Sequence, residues 1–236
     1  MTILKPSKVK FAFLLPWLLY LLLELITGGR IFTASGILPL AFLWLAGGLT
    51  ELAAMKIPRP TLPRTRLLFF SLGLAIIDQI CKLLVVHYLQ DQTIPLIPGF
   101  SLQQVHNMQA AWIPNRLGWD IPLAILSLAA VLILFLTWCV YSYYTGALKR
   151  RNVYTDLALI LIFGGALSAL VDQTLRGFTV DFITFQGFFT ADLKDFYLTL
   201  GWAAVIAEAM QSPIPEPPLR EFPSLLLRMI RHTLGK

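Results

Sequence analysis

Gly164–Phe196 reads GGALSALVDQTLRGFTVDFITFQGFFTADLKDF. It starts inside one apolar run, Tyr154–Val171, and ends inside another, about Leu193–Met210. Between them stand four aspartates, Asp172, Asp181, Asp192 and Asp195. The surrounding chain is poor in charge: 14% of its 236 residues are charged and 57% are hydrophobic. A soluble domain carries about a quarter charged residues. The mean hydropathy of +0.71 would leave far too much apolar surface in water, so the chain is read as a membrane protein. Two apolar helices that end in carboxylates at one level of a bilayer then become the feature to explain.

Working outward, six apolar segments approach the roughly 17–25 residues that a spanning helix needs. They are Phe11–Gly28, Ile31–Met55, Leu67–Leu89, Ile121–Tyr144, Tyr154–Val171 and about Leu193–Met210, the last being short and carrying Glu208. The spacing predicts an all-α membrane fold: a four-helix bundle preceded by two further helices. The loop at about Gln90–Asp120 mixes apolar and polar residues with Pro-Gly punctuation, which predicts short strands and a small β region. In the C-terminal segment, Leu225, Leu226, Met229 and Ile230 share a helical face away from Arg228 and Arg231. That pattern predicts a basic amphipathic helix on the membrane surface.

Charge sets the expected orientation. Fourteen of the nineteen Lys and Arg residues fall in the N-terminal tail, the loops after the second and fourth spans, and the C-terminal tail. Both termini are therefore expected in the cytoplasm. The net charge of +6 does not indicate nucleic acid, because the basic residues punctuate hydrophobic runs and form no stripe. Cys81 and Cys139 lie in apolar runs, and no Cys/His spacing suggests a metal. Neither metal nor cofactor is expected. A basic linker with three prolines, residues 57–66, divides a two-helix unit (1–56) from a four-helix domain (67–211), and an amphipathic tail follows (212–236). Trp17, Tyr20 and Trp44 of the first two helices are expected to face outward, towards lipid or other membrane subunits.

On this layout Asp172 ends the fifth span and Asp192 begins the sixth. Carboxylates at that depth are costly unless paired, hydrated or used. Two held close share a proton, one serving as base towards water while the other donates to a carbonyl. Solvated loop aspartates are the simpler reading; Asp195, at a helix start, fits it best, and Asp181 fits a loop role accepting backbone hydrogen bonds. Asp78 and Lys82 are four apart within an apolar helix, so they share a face and pair. The pair either satisfies two costly charges or orients a site. Asn107, amid small residues in the outer loop, suits either a turn or a substrate backbone.

Taken in order, these pieces resemble the lipoprotein signal peptidase (signal peptidase II) family. Its D-Q-x-x-K motif stands intact as Asp78-Gln79-Ile80-Cys81-Lys82. The loop motif ending N-x-G-A-A-F/W is similar to Asn107–Trp112, with Asn107, Ala110, Ala111 and Trp112 matching and Gln109 in place of the glycine. The motif G-G-A-x-G-N-x-x-D-R-x-x-x-G-x-V-x-D-F is matched by Gly164, Gly165, Ala166, Asp172, Gly177, Asp181 and Phe182. In F-N-x-A-D-S, Phe188, Ala191 and Asp192 match.

The resemblance covers about Leu67 to Met210. It implies a catalytic pair, Asp172 and Asp192, supported by Asp78, Gln79, Lys82, Asn107, Ala110, Ala111, Gly177, Asp181 and Ala191. It also implies a metal-free endopeptidase that removes the signal peptide of a diacylglyceryl-modified prolipoprotein before the lipidated cysteine. The setting would be a bacterial-type plasma membrane, with the site near its outer face and lipid as a further partner. Three departures fall close to the implied pair: Ala169 and Phe189 replace asparagines, and Gln173 replaces an arginine. An alanine or phenylalanine side chain cannot hydrogen-bond a carboxylate. The alternative expectation is a catalytically inactive relative that binds or assembles membrane components. A transporter fits less well, since the ionisable residues gather at one face rather than the midplane.

Overall fold

The computed structural model describes residues 7–29, 31–57, 62–90, 92–108, 119, 121–212 and 221–235. Seven helices appear among them: α1 (Lys8–Ile26), α2 (Ala34–Lys56), α3 (Arg64–Tyr88), α4 (Leu123–Gly146), α5 (Val153–Val171), α6 (Leu193–Gln211) and α7 (Phe222–Thr233). Four strands form one antiparallel sheet in chain order: β1 (Thr93–Ile97), β2 (Phe100–Asn107), β3 (Thr179–Phe185) and β4 (Phe189–Ala191). Helices α1 to α4, and α5 with its continuation to Arg176, are long and apolar enough to cross a membrane. Helix α6 matches α1 and α5 in length at 19 residues. It carries Lys194, Asp195 and Glu208, and both Lys194 and Glu208 are buried within the protein.

Helix α5 is the axis of the bundle, with α3, α4 and α6 all packed on it. Small residues permit the approach, as expected where lipid supplies no hydrophobic drive between helices. A Cβ on Gly165 would lie 2.8 Å from Leu198 Cγ, and one on Gly201 would lie 2.7 Å from Ile162 Cγ1. The two glycines thus interlock α5 and α6 from both sides. Gly165→Val is expected to lose about 1–3 kcal/mol through overpacking, read as a lower Tm in detergent. An unchanged Tm would mean that the helices separate freely.

The end of the bundle away from the sheet is pinned by polar pairs. Asp156 accepts from Tyr141 Oη at 2.8 Å and from Arg151 Nη2 at 2.7 Å. Glu208 accepts from Tyr144 Oη and Asn152 Nδ2, each at 2.5 Å. Helix α7 packs on α4 with Leu225, Leu226, Met229 and Ile230 half-buried and Arg228 and Arg231 exposed. Many large apolar side chains of α3 and α4, among them Phe69, Ile77, Leu83, Leu128 and Leu132, point out of the protein. In a bilayer that surface meets lipid.

The first two helices pack into the rest of the fold. Helix α1 lies against α2 and α6, and Val9, Ala12 and Phe13 share a core with Ala203, Ala204 and Ala207. The outward expectation for Trp17 is corrected: it is buried, and its indole N–H donates to the Gly36 carbonyl at 2.8 Å. Its ring meets Tyr20, Phe185 and Phe189 at centroid distances of 4.8, 5.6 and 6.1 Å. Tyr20 and Trp44 are half-buried, Tyr20 against Phe189 at 5.0 Å. The Ser35 hydroxyl donates to the Gln186 carbonyl in the β3–β4 turn at 2.8 Å. The α1–α2 hairpin therefore braces the turn that leads through β4 into Asp192.

Candidate active site

Asp192 is the N-cap of α6, with φ −120° and ψ −174°. Its Oδ1 accepts from the Asp195 N–H at 3.3 Å, while Asp195 Oδ2 accepts from the Asp192 N–H at 3.2 Å. This reciprocal capping box fixes the carboxylate at the helix N-terminus, where the backbone dipole favours negative charge. Asp195, expected only to face water at a helix start, is one half of that clamp. The β4 residue Ala191 is buried and delivers the chain to it.

Asp172 occupies the opposite kind of end. It closes α5 and opens a five-residue π turn, Asp172–Arg176, in which the Gly177 N–H donates to the Asp172 carbonyl at 3.1 Å. Gly177 ends the turn at φ +72°, a left-handed conformation suited to glycine. A carboxylate at a helix C-terminus opposes the dipole, so Asp172 needs cations. Arg176 Nη1 lies 2.8 Å from Asp172 Oδ1, and Gln79 Nε2 donates to the same oxygen at 3.0 Å.

Lys82 joins the parts. Its ammonium lies 2.6 Å from Asp78 Oδ2, 2.5 Å from Asp172 Oδ2 and 2.6 Å from Asp192 Oδ2. All four side chains are fully buried. One carboxylate oxygen from each of the three aspartates lies within 4.8 Å of the others. Neither solvated loop carboxylates nor a proton shared directly between two of them describes this arrangement: both are buried, and an ammonium stands against both. Asp78 also accepts from the Ser168 hydroxyl, and its Oδ1 accepts from the Lys194 backbone N–H at 3.3 Å. Gln79 Nε2 donates to Ser168 Oγ at 2.9 Å, and Gln79 Oε1 accepts from Arg176.

Asp181 and Asn107 lie one step out, on β3 and β2. Asn107 Nδ2 donates to Asp181 Oδ2 at 2.8 Å, so the partner is a side chain and not the backbone first expected. Asp181 Oδ1 sits 4.0 Å from Lys194 Nζ and has no hydrogen-bond partner among the described residues. Burial outweighs the opposing pull of Lys194, Asn107 and Lys82, pushing Asp181 up from 3.8 to about 6. Its share of stability is then complete at low pH and lost as pH rises through about 6. Thermal unfolding should show a fall in Tm between pH 4 and 6.5 that is smaller in Asp181→Asn. The same fall in both proteins would contradict the assignment. Ala110, Ala111 and Trp112 lie outside the described residues.

Sequence reasoning passed over Lys194, Arg176 and Ser168. Lys194 stands two residues after Asp192, and its buried ammonium contacts Asp192 and lies 3.8 Å from Asp172 Oδ2. Arg176 stands four after Asp172. Both spacings were visible as basic residues next to aspartates in an otherwise apolar chain. Phe189, at a position where the family motif has asparagine, stacks on Phe185 at 4.9 Å and 15°, directed to the α1–α2 hairpin.

This constellation lies within the stretch of the chain that matches known proteins. Residues 70–211 match the family model for signal peptidase (SPase) II. A lipoprotein signal peptidase of Photorhabdus laumondii is 30% identical over 155 residues, 63% of this chain and 89% of the relative. One from Brucella ovis is 30% identical over 146 residues, 60% of this chain and 87% of the relative. Two solved structures, described as bacterial membrane enzymes, share the fold. One, determined at 2.3 Å, has TM-score 0.51 and 20% identity over 65% of this chain and 94% of its own. The other, at 1.9 Å, has TM-score 0.50 and 23% identity over 64% and 95%. The chain is an integral membrane protein and belongs to the signal peptidase II family.

Proposed function

We propose that the protein is a membrane aspartic endopeptidase that removes signal peptides from diacylglyceryl-modified prolipoproteins, with Asp172 and Asp192 activating the attacking water. The observation that carries the reading is the convergence of two fully buried carboxylates, from the end of α5 and the start of α6, on the Lys82 ammonium. Burial of this kind is expensive for a passive loop residue, and clustered buried carboxyls mark sites. Asp78, Gln79, Lys82, Asn107, Gly177, Asp181 and Ala191 support the pair.

In the reaction one aspartate takes a proton from water as the hydroxide oxygen bonds to the scissile carbonyl carbon. The other, protonated, donates to the carbonyl oxygen. Breaking the C–N bond passes a proton to the departing amine and restores the pair. Charge counting supports a proton in the cluster. Among the described residues, Asp78, Asp172, Asp181, Asp192 and Asp195 face the three cations Lys82, Lys194 and Arg176. A buried excess of negative charge is relieved by protonation.

The positive-inside pattern supports cytoplasmic termini. The sheet and the dyad then lie near the outer face of a bacterial-type plasma membrane, and α6 crosses with the other spans. The test uses purified protein in lipid, a diacylglyceryl-modified prolipoprotein, and a known family enzyme in parallel. Release of a signal peptide cut just before the lipidated cysteine is the expected result. Activity of the known enzyme alone would favour the catalytically inactive reading, to which Ala169 and Phe189 lend weight.

A further inference from the structure

We propose that α7, with the adjoining ends of α3 and α4, is a docking surface for the headgroups of anionic phospholipids. The surface lies at the end of the bundle away from the sheet and the buried carboxyls, so it stands apart from the peptidase reading. An imbalance of exposed charge around α7 carries the inference, together with the way that helix is seated.

Helix α7 is fixed by the protein itself. Leu225, Leu226, Met229 and Ile230 are half-buried where it packs on α4. At the edge of that face the His232 ring meets Tyr143 edge-on at 5.8 Å. A Cβ on Gly146, the last residue of α4, would lie 2.7 Å from His232 Nε2, so the glycine lets the two helices close. At 3.6 residues per turn, Arg228 and Arg231 fall on the side opposite the packed face, and both are exposed. Leu227 and Leu234 line the flank between, 54% and 61% exposed. Uncovered leucines beside arginines suit a helix at the boundary of a bilayer. There the apolar side chains enter the acyl region and the cations reach the headgroups.

The same end exposes Arg64 and Arg66 at the start of α3 and Lys149 and Arg150 just after α4. Arg64 Nη2 donates to Thr145 Oγ1 at 3.1 Å, and its guanidinium lies over the Tyr141 ring at 5.9 Å. That seat turns it towards the junction of α4 with α7. Against these cations, Glu221 at the start of α7 is the only exposed carboxylate among the described residues. Asp156 and Glu208, at this end too, are buried and already accept from Arg151 and Asn152. Counter-charge must therefore come from outside the chain. On the orientation proposed above, this end meets the cytoplasmic leaflet, whose anionic lipids attract cations near the surface. The leucine flank of α7, next to the lipid-facing surface of α4, selects a lipid over a soluble anion.

Native mass spectrometry of the full chain in detergent, titrated with dioleoyl phosphatidylglycerol or dioleoyl phosphatidylcholine, reads the affinity for each lipid without any cleavage assay. Phosphatidylglycerol should bind about 10²-fold tighter. That advantage should shrink as ammonium acetate is raised from about 0.05 to about 0.5 M. Each Arg near an anionic surface contributes roughly 5-fold in affinity, so Arg228→Gln/Arg231→Gln should weaken phosphatidylglycerol binding roughly 30-fold. Its phosphatidylcholine affinity and its lipid-free Tm should match the parent's, because both side chains point away from the packed face. Arg228→Lys/Arg231→Lys, which keeps the charge, should bind like the parent. Equal affinity of the parent for the two lipids would overturn the proposal and leave the patch to an acidic protein. Parent-like binding of phosphatidylglycerol by the glutamine variant would overturn it as well, by placing the lipid elsewhere.

Discussion

Replacing either Asp172 or Asp192 with asparagine is expected to reduce prolipoprotein cleavage about 10⁴-fold, the upper range for loss of a general acid or base. Asparagine keeps the size of the side chain and removes the ionisable oxygen. The amide can still accept one hydrogen bond from Lys82 or Arg176, so the bundle should fold. The variants should keep the parent's near-ultraviolet circular dichroism and unfold cooperatively at a modestly lower Tm. The two effects should also be strongly non-additive, since either substitution disables the same pair. Full activity in either variant would eliminate this dyad as the mechanism.

Lys82→Met should have the largest effect on stability. The ammonium is fully buried and lies within 2.6 Å of three carboxylates from three segments of the chain. Removing one member of a buried ion cluster leaves the others uncompensated and costs about 3–5 kcal/mol. For a chain of this size that corresponds to a fall in Tm of roughly 10 °C. Activity should vanish as well, because Asp172 and Asp192 would repel without the cation between them. Lowering the pH should recover part of the lost stability by protonating the stranded carboxyls, and should not recover activity. A Tm unchanged at neutral pH would mean that Lys82 is not the centre of the cluster.

Much of the layout was legible from local patterns. Long apolar runs located the spans to within a few residues, and the Pro-Gly loop announced β1 and β2. The i,i+4 spacing of Asp78 and Lys82 placed them on one helical face. Asp172 and Asp192 stood out because carboxylates bounding apolar helices are costly, and the family resemblance then singled them out as a pair. The rest was hidden for reasons of geometry. In a chain that is apolar on both lipid-facing and protein-facing sides, periodicity does not say which way a residue points, so Trp17 was misplaced. The capping box of Asp192 and Asp195 depends on the dihedral angles of one residue. Lys194 and Arg176 looked like ordinary loop charges until folding curled them onto a pair formed by segments far apart in sequence. The π turn that carries Arg176 leaves no periodic trace at five residues.

The central claim, that Asp172 and Asp192 activate water for peptide cleavage, meets its most direct test in a single turnover of diacylglyceryl-modified prolipoprotein in ¹⁸O-labelled water. One labelled oxygen should enter the new carboxyl end of the released signal peptide, with none in Asp172 or Asp192 of the recovered protein. Label in either aspartate would show a covalent route, and an uncut substrate would show that the pair, however placed, performs no such chemistry.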